Sequence, residues 1–395
     1  MLGISSSRCI KDLWKRNNLA NSNLTNAKKV KNDEFYTQYA DIEKEIQAYL
    51  DFNPNVFRGK VVYCNCDDPF ESNFFKYFAN KFNEYGLKKL ITTSYVGSPI
   101  VQTQMNFPGE NIKELPDRKN RKAFKIEINA VTDLNKDNVV NLNDVKKLLE
   151  HDKNASAPLQ GDNQYSAGDF RSLECVELLK QADIVVTNPP FSLFREFVKQ
   201  LFDYDKKFVI IGSMSAIAYK EIFPLIKNNK LWLGNKTSSQ QMFLEAPKEY
   251  TERVMTSKPQ GMWWRIVNGK PLIGIHTALW FTNLDHGRRH LPLPLMTMEE
   301  NLKYSKHKEI KGKKAYDKYD NYNAIEVPFT DSIPSDYDGV MGVPISFLDR
   351  YNPEQFGLIG SNRGIGQDLE NIYGHSSYLN GKETFKRIFI KHKRK

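Results

Sequence analysis

Ala182-Asp183-Ile184-Val185-Val186-Thr187-Asn188-Pro189-Pro190-Phe191 decides how this chain folds. Ile184 to Val186 is a β-branched apolar run, the pattern of a buried parallel strand. It stops at Asn-Pro-Pro, where two fixed φ angles and two missing N–H groups end strand and helix alike. From Ser192 to Leu201 the periodicity predicts a helix, with Leu193, Phe194, Phe197, Val198 and Leu201 on one stripe. Asn188 to Phe191 is therefore expected on a rigid loop at the carboxyl end of a strand, where open α/β sheets bind their ligands.

Such a loop suits one chemistry. An exocyclic amine on a base is a poor nucleophile because its lone pair is delocalised into the ring. The Asn188 side-chain oxygen and the Pro189 carbonyl can accept hydrogen bonds from that NH2 group and draw its nitrogen toward tetrahedral geometry. Pro190 stiffens the loop, and Phe191 offers a ring to stack on the base. The plain alternative is a Pro-Pro turn that only ends a strand. The strand before it, the aromatic after it and the helix beyond favour the site.

The run Thr187-Asn-Pro-Pro-Phe-Ser-Leu-Phe-Arg-Glu-Phe197 does not stand alone. With Asp33-Glu-Phe-Tyr-Thr-Gln-Tyr39, Val61-Val-Tyr-Cys-Asn-Cys-Asp-Asp-Pro69 and Gly168-Asp-Phe-Arg171, it resembles the EcoRI modification methylase family of adenine-specific DNA methyltransferases, from about Lys28 onward. The resemblance implies an α/β, Rossmann-like fold that depends on S-adenosylmethionine, with a C-terminal target-recognition region. It implies methyl transfer to the N6 amine of a flipped-out adenine, with a GAATTC-like target the weakest part of the expectation. It also implies double-stranded DNA as partner, a monomer on DNA, a cognate restriction endonuclease and a bacterial cytosolic location. The catalytic residues would be Asn188, Pro189, Pro190 and Phe191. The cofactor would meet Phe35, Tyr36, Thr37, Cys64, Asn65, Asp67, Pro69, Asp169, Phe170 and Asn188. The competing functions are an RNA or protein-glutamine amino-methyltransferase and a catalytically silent DNA-binding relative.

Composition agrees. The chain has 395 residues, 40% of them hydrophobic and 12% aromatic, enough for a large core. The net charge of +10 suits a polyanionic partner. No apolar run nears the roughly 18 residues of a membrane span. The cysteines Cys9, Cys64, Cys66 and Cys175 form no disulfide framework, which points to a reducing cytosol. Cys64-x-Cys66 lacks a second pair at zinc spacing and reads as core thiols.

In order along the chain, residues 1–30 read as a flexible basic arm, 31–285 as the catalytic domain and 286–395 as the recognition region. Phe35, Tyr36 and Tyr39 precede a helix carrying Ile42, Ile46 and Tyr49; they are either cofactor contacts or a hydrophobic staple. Lys60–Cys64 is the first strand and Ser72 caps the next helix. No glycine lies between Val61 and Tyr85, so the turn relies on Asn65, Asp67 and Asp68. Strands follow at Leu87–Ser94 and Ala123–Val131. Asp133, Asn135, Asp137 and Asp144 fall at positions 1, 3, 5 and 12 of a calcium loop, with a plain Asx-rich turn as the alternative. Residues 154–167 read as a polar loop. Asp169 is either a cofactor ligand or, like Ser172, the cap of a helix over Leu173–Gln181. Further strands at Lys207–Ser213, Lys230–Gly234 and Gly274–Asn283, with an Asn268-Gly269 hairpin, are expected to complete a mixed seven-stranded sheet. Beyond Asp285, His286-Gly-Arg-Arg-His290 and the lysines and tyrosines of 303–322 suggest phosphate and base contacts, or else a solvated loop. Arg288, Arg289 and Arg363 are the candidate base readers.

Overall fold

The computed structural model describes residues 37–66, 72–95, 123–132, 156–246, 248–362 and 375–393. The first eleven strands are β1 Val61–Cys64, β2 Lys89–Thr93, β3 Phe124–Ile128, β4 Ser156–Pro158, β5 Ile184–Thr187, β6 Lys207–Ser213, β7 Trp232–Leu233, β8 Met242–Leu244, β9 Trp264–Val267, β10 Lys270–Ile275 and β11 Ala278–Thr282. Eight of them make one mixed sheet in the order β4-β3-β2-β1-β5-β6-β11-β7. β2, β1, β5 and β6 run parallel, with Val62 beside Ile184 and Thr187 beside Ile210. Reversed strands flank them: β3 against β2, and β11 between β6 and β7.

The sheet has eight strands, not the expected seven. The extra one, β4, comes from the stretch read as polar loop. Ser-Ala-Pro carries no apolar alternation, and its proline is tolerated because β4 is an edge strand. The Asn268-Gly269 hairpin forms as expected, with both residues at positive φ. However, β9 and β10 join β8 in a separate three-stranded sheet, because the chain turns at His276–Thr277 before β11 enters the large one.

Alternation along the central strands builds two cores. Val61, Tyr63, Val185, Phe208 and Ile210 face one side. Val62, Cys64, Ile184, Val186, Val209 and Ile211 face the other. The second side is covered by the helix Tyr39–Phe52, through Ile42, Ile46 and Tyr49, and by the helix Asn73–Asn80. The first side is covered by the helices Leu173–Gln181, Phe194–Asp203 and Phe223–Lys227.

The C-terminal strands are β12 Ala324–Glu326, β13 Val340–Pro344, β14 Phe356–Ser361, β15 Tyr378–Leu379, β16 Lys382–Glu383 and β17 Arg387–His392. They form the sheet β12-β13-β17-β14 and the small hairpin β15-β16. Ile325, Met341, Val343, Phe347, Phe356, Ile388 and Ile390 belong to the same hydrophobic cluster as Val185 and Phe208. The expected boundary at 285–286 therefore marks a change of composition, not a break in the core. Among the described residues no helix is long and apolar enough to cross a membrane.

Candidate active site

Strand order places β1 at a switch point: the chain builds outward through β2, β3 and β4 on one side, then restarts with β5 and β6 on the other. The crevice over the carboxyl ends of β1 and β5 is the expected ligand site. The two strands are tied at both ends. At the start, Val61 N donates to Asp183 Oδ2 at 2.8 Å and Asp183 N to Val61 O at 2.9 Å. At the finish, the buried Thr187 hydroxyl donates to the carbonyl of Asn65. Asn65 and Asn188 thus leave neighbouring strands side by side.

Pro189 is buried and Asn188, Pro190 and Phe191 are half-buried. Pro190 has φ −55° and ψ 123°, and its carbonyl accepts from Leu193 N at 3.0 Å. That bond closes a 3-10 turn, Phe191–Leu193, which runs into the helix Phe194–Asp203. The helix is pressed onto β6 at Gly212, where a Cβ would lie 2.4 Å from the Phe194 ring. Phe194 faces the core beneath the helix, whereas Phe191 packs on the opposite face with the Val62 and Val186 cluster.

Gly168 brings a second loop to the same edge. Its φ is +77°, and a Cβ there would stand 1.8 Å from Ser94 O, just past β2. Next to it Asp169 is 8% exposed and accepts from Arg171 N and Nε at 3.0 Å and from Nη2 at 2.8 Å. Arg171 also reaches Glu196 at 2.9 Å and lies over Tyr165. These carboxylates, Asp169 first, push its guanidinium pKa up. The helix cap is Ser172, whose hydroxyl accepts from Cys175 N at 3.4 Å, so Asp169 is not the cap.

Among the described residues, Asn65 Oδ1 and Thr37 Oγ1 near this edge are buried without a hydrogen-bond partner. Thr37 is docked beside the β1 turn, since its carbonyl accepts from Asn73 Nδ2 at 2.7 Å. Buried polar atoms cost free energy unless satisfied, so this pair fits a ligand that brings hydroxyl or ammonium donors. S-adenosylmethionine carries both. Two other expected contacts pack inward. Phe170 is 3% exposed and sits edge-on to Phe197 at 5.0 Å, so its ring serves the core. Cys64 is fully buried among Val62 and Val186, leaving only its backbone toward the edge. Phe35, Tyr36, Asp67 and Pro69 lie outside the described residues, as does the 133–144 loop. Among the described residues no group of three or more His, Cys, Asp or Glu side chains is placed to hold a metal.

The sequence missed a buried charge cluster along the same edge. Glu45, 2% exposed, accepts from Tyr49 OH at 2.9 Å, Asn235 N at 2.7 Å and Lys236 N at 3.0 Å. Burial pushes its carboxyl pKa up. Lys236 Nζ donates to Ala278 O at 3.0 Å, and burial brings its pKa down to about 8. Asp349, from the C-terminal half, accepts from Ser238 N at 2.9 Å and from its hydroxyl at 2.5 Å. The one available signal was Glu45 itself, a carboxylate on the apolar stripe of Ile42, Ile46 and Tyr49.

Two of the three candidate base readers are engaged within the fold. Arg289 is 7% exposed, lies 3.6 Å over the Trp232 ring and bonds Asn229. Arg288 donates to the Asn235 carbonyl. His286, 2% exposed, is bonded to Leu233 O at 3.0 Å, not set on the surface for phosphate. Arg363 lies outside the described residues. Tyr316, Tyr319 and Tyr322 are buried and anchor the fold, while Tyr304 and the lysines from 303 to 318 remain exposed.

The switch-point crevice, with Asn-Pro-Pro-Phe on one strand end and buried acceptors on the next, fits a methyltransferase. The chain belongs to the EcoRI family of adenine-specific methyltransferases, whose model matches residues 23–393. It is 44% identical to Type II methyltransferase M.EcoRI of Escherichia coli over 382 residues, 95% of this chain and 98% of that relative. It is 33% identical to M.MpnI of Mycoplasma pneumoniae over 375 residues, 92% of this chain and 96% of the relative. No solved structure matches it.

Proposed function

We propose that this enzyme methylates the N6 amine of a specific adenine in duplex DNA, using S-adenosylmethionine. The observation that carries this is the Asn188-Pro-Pro-Phe191 loop fixed at the β1–β5 switch point, beside the buried acceptors Asn65 Oδ1 and Thr37 Oγ1. Bound S-adenosylmethionine supplies a methyl group made electrophilic by its sulfonium. Asn65 and Thr37 would take its polar donors, and the Asp169 carboxylate, held by Arg171, would accept from its adenine amine. The chain needs no nucleophile of its own. Asn188 Oδ1 and the Pro189 carbonyl accept the two N–H bonds of the target amine, which strengthens as its nitrogen becomes tetrahedral. A base inside a duplex cannot reach this loop, so it must be turned out of the stack, where Phe191 offers a ring face. The positive balance of the chain draws the duplex in.

By family likeness the target is GAATTC-like, and the enzyme acts as a monomer in a bacterial cytosol beside a cognate endonuclease. Incubation with labelled S-adenosylmethionine and plasmid, followed by base-resolved mapping, should show N6-methyladenine at one short motif. Label in RNA or protein glutamine, or none in DNA, would overturn the proposal.

A further inference from the structure

From Arg253 to Leu284 the chain contains no acidic residue, while Arg253, Lys258, Arg265 and Lys270 put four cations into it. The stretch holds β9 and β10, which pair with β8 in the small sheet β8-β10-β9. That sheet packs through Met242, Leu244 and Ile275 on the face that carries Val62 and Val186. The C-terminal sheet packs on the opposite face. Two bodies therefore flank the large sheet, and both are fastened at its carboxyl edge. Met214 N, just past β6, donates to Thr277 O at 2.6 Å, between β10 and β11. Ser238, after β7, holds Asp349. Asn188 leaves β5, the neighbour of β6.

The small sheet also overhangs its support. Trp264 pairs with Ile273, and Ile273 with Leu244, so Trp264 and Ile266 share the side that Leu244 buries. Ile273 is 1% exposed, yet Ile266 is 48% and Met262 61% exposed. The hairpin reaches past the core and carries apolar groups into solvent, a feature that marks contact surfaces. Charge chooses the partner. Lys258 Nζ lies 4.8 Å over Trp263 and the Arg265 guanidinium 3.7 Å over Phe243, so ring faces hold both cations, while Lys270 pairs with Glu245 at 3.4 Å.

We infer that the β8-β10-β9 sheet is a second DNA-contact surface, which grips the duplex backbone from the face opposite the C-terminal region. Lys258 and Arg265 meet phosphates, and Met262 and Ile266 meet the groove. This rests on DNA being the substrate. Arg265 shares its surroundings with Asp41 and covers Phe243, so Lys258→Ala is the cleaner probe and Arg265→Ala the second.

The test titrates full-length protein with fluorescent target and random duplexes over a range of salt, and with S-adenosylmethionine by calorimetry. Each substitution should weaken binding to both duplexes roughly 3- to 10-fold and lower the log–log salt slope by about one. Cofactor affinity should not move. Wild-type DNA affinity and salt slope in both variants would overturn the inference. So would altered self-association in sedimentation with DNA binding intact, which would make the surface a contact between copies. If the wild-type protein itself neither binds nor methylates DNA, the proposed function fails with it; unchanged variants of an active enzyme sink the hairpin alone.

Discussion

Gly168→Ala puts the cofactor geometry to the test. The residue sits at φ +77°, where an alanine costs about 1–2 kcal/mol. Its Cβ would stand 1.8 Å from Ser94 O, whereas ordinary contact begins at 3.4 Å. Both partners are backbone, so the collision cannot be relieved by a rotamer. The loop must retreat by something on the order of 1.5 Å, and it carries Asp169 with it. Hydrogen bonds keep their strength over only about 0.3 Å of stretch. A lost bond to a carboxylate costs roughly 1.5–3 kcal/mol, which is about 10- to 100-fold in Kd. Calorimetric titration with S-adenosylmethionine should show that loss, while the melting temperature falls by only a few degrees. A folded Gly168→Ala protein with wild-type cofactor affinity would place the cofactor away from Asp169.

Asn188→Ala should lower kcat by orders of magnitude while DNA binding persists, because its hydrogen bonds act chiefly in the transition state; single-turnover kinetics reads this. Burial lowers the His286 pKa to about 4, against roughly 6.5 unfolded. The unfolded chain then binds the extra proton between those values, so this contribution is whole above about pH 6.5 and fades as pH falls toward 4, by roughly 3 kcal/mol in all. His286→Gln should flatten the melting temperature between pH 7 and pH 5. Phe347→Ala should cost about 3–5 kcal/mol and shift one cooperative calorimetric transition, since Phe347 lies in a core shared by both halves.

The central strands were legible because alternation and β-branching act locally. Lys207–Ser213 and Leu173–Gln181 have the bounds their periodicity set, and Asn268-Gly269 turns as that dipeptide must. The Asn188 loop could be placed because prolines restrict the backbone wherever they stand. What failed depended on distant partners. His286, Arg288 and Arg289 look like a phosphate-binding run, yet Leu233, Asn235 and Trp232 bury or occupy them from more than fifty residues away. Tyr316 looks like a stacking platform, yet its hydroxyl donates to Ser332 O at 2.6 Å inside the fold.

The shared core sets how this enzyme can change its target. Met341, Val343, Phe347 and Ile390 share one hydrophobic cluster with Phe208, Ile210 and Phe281. A chimera joined near residue 285 would bring together two surfaces shaped for other partners, and would leave voids or clashes under β6 and β11. New specificity is reached more readily by changing side chains on the exposed rim than by exchanging halves.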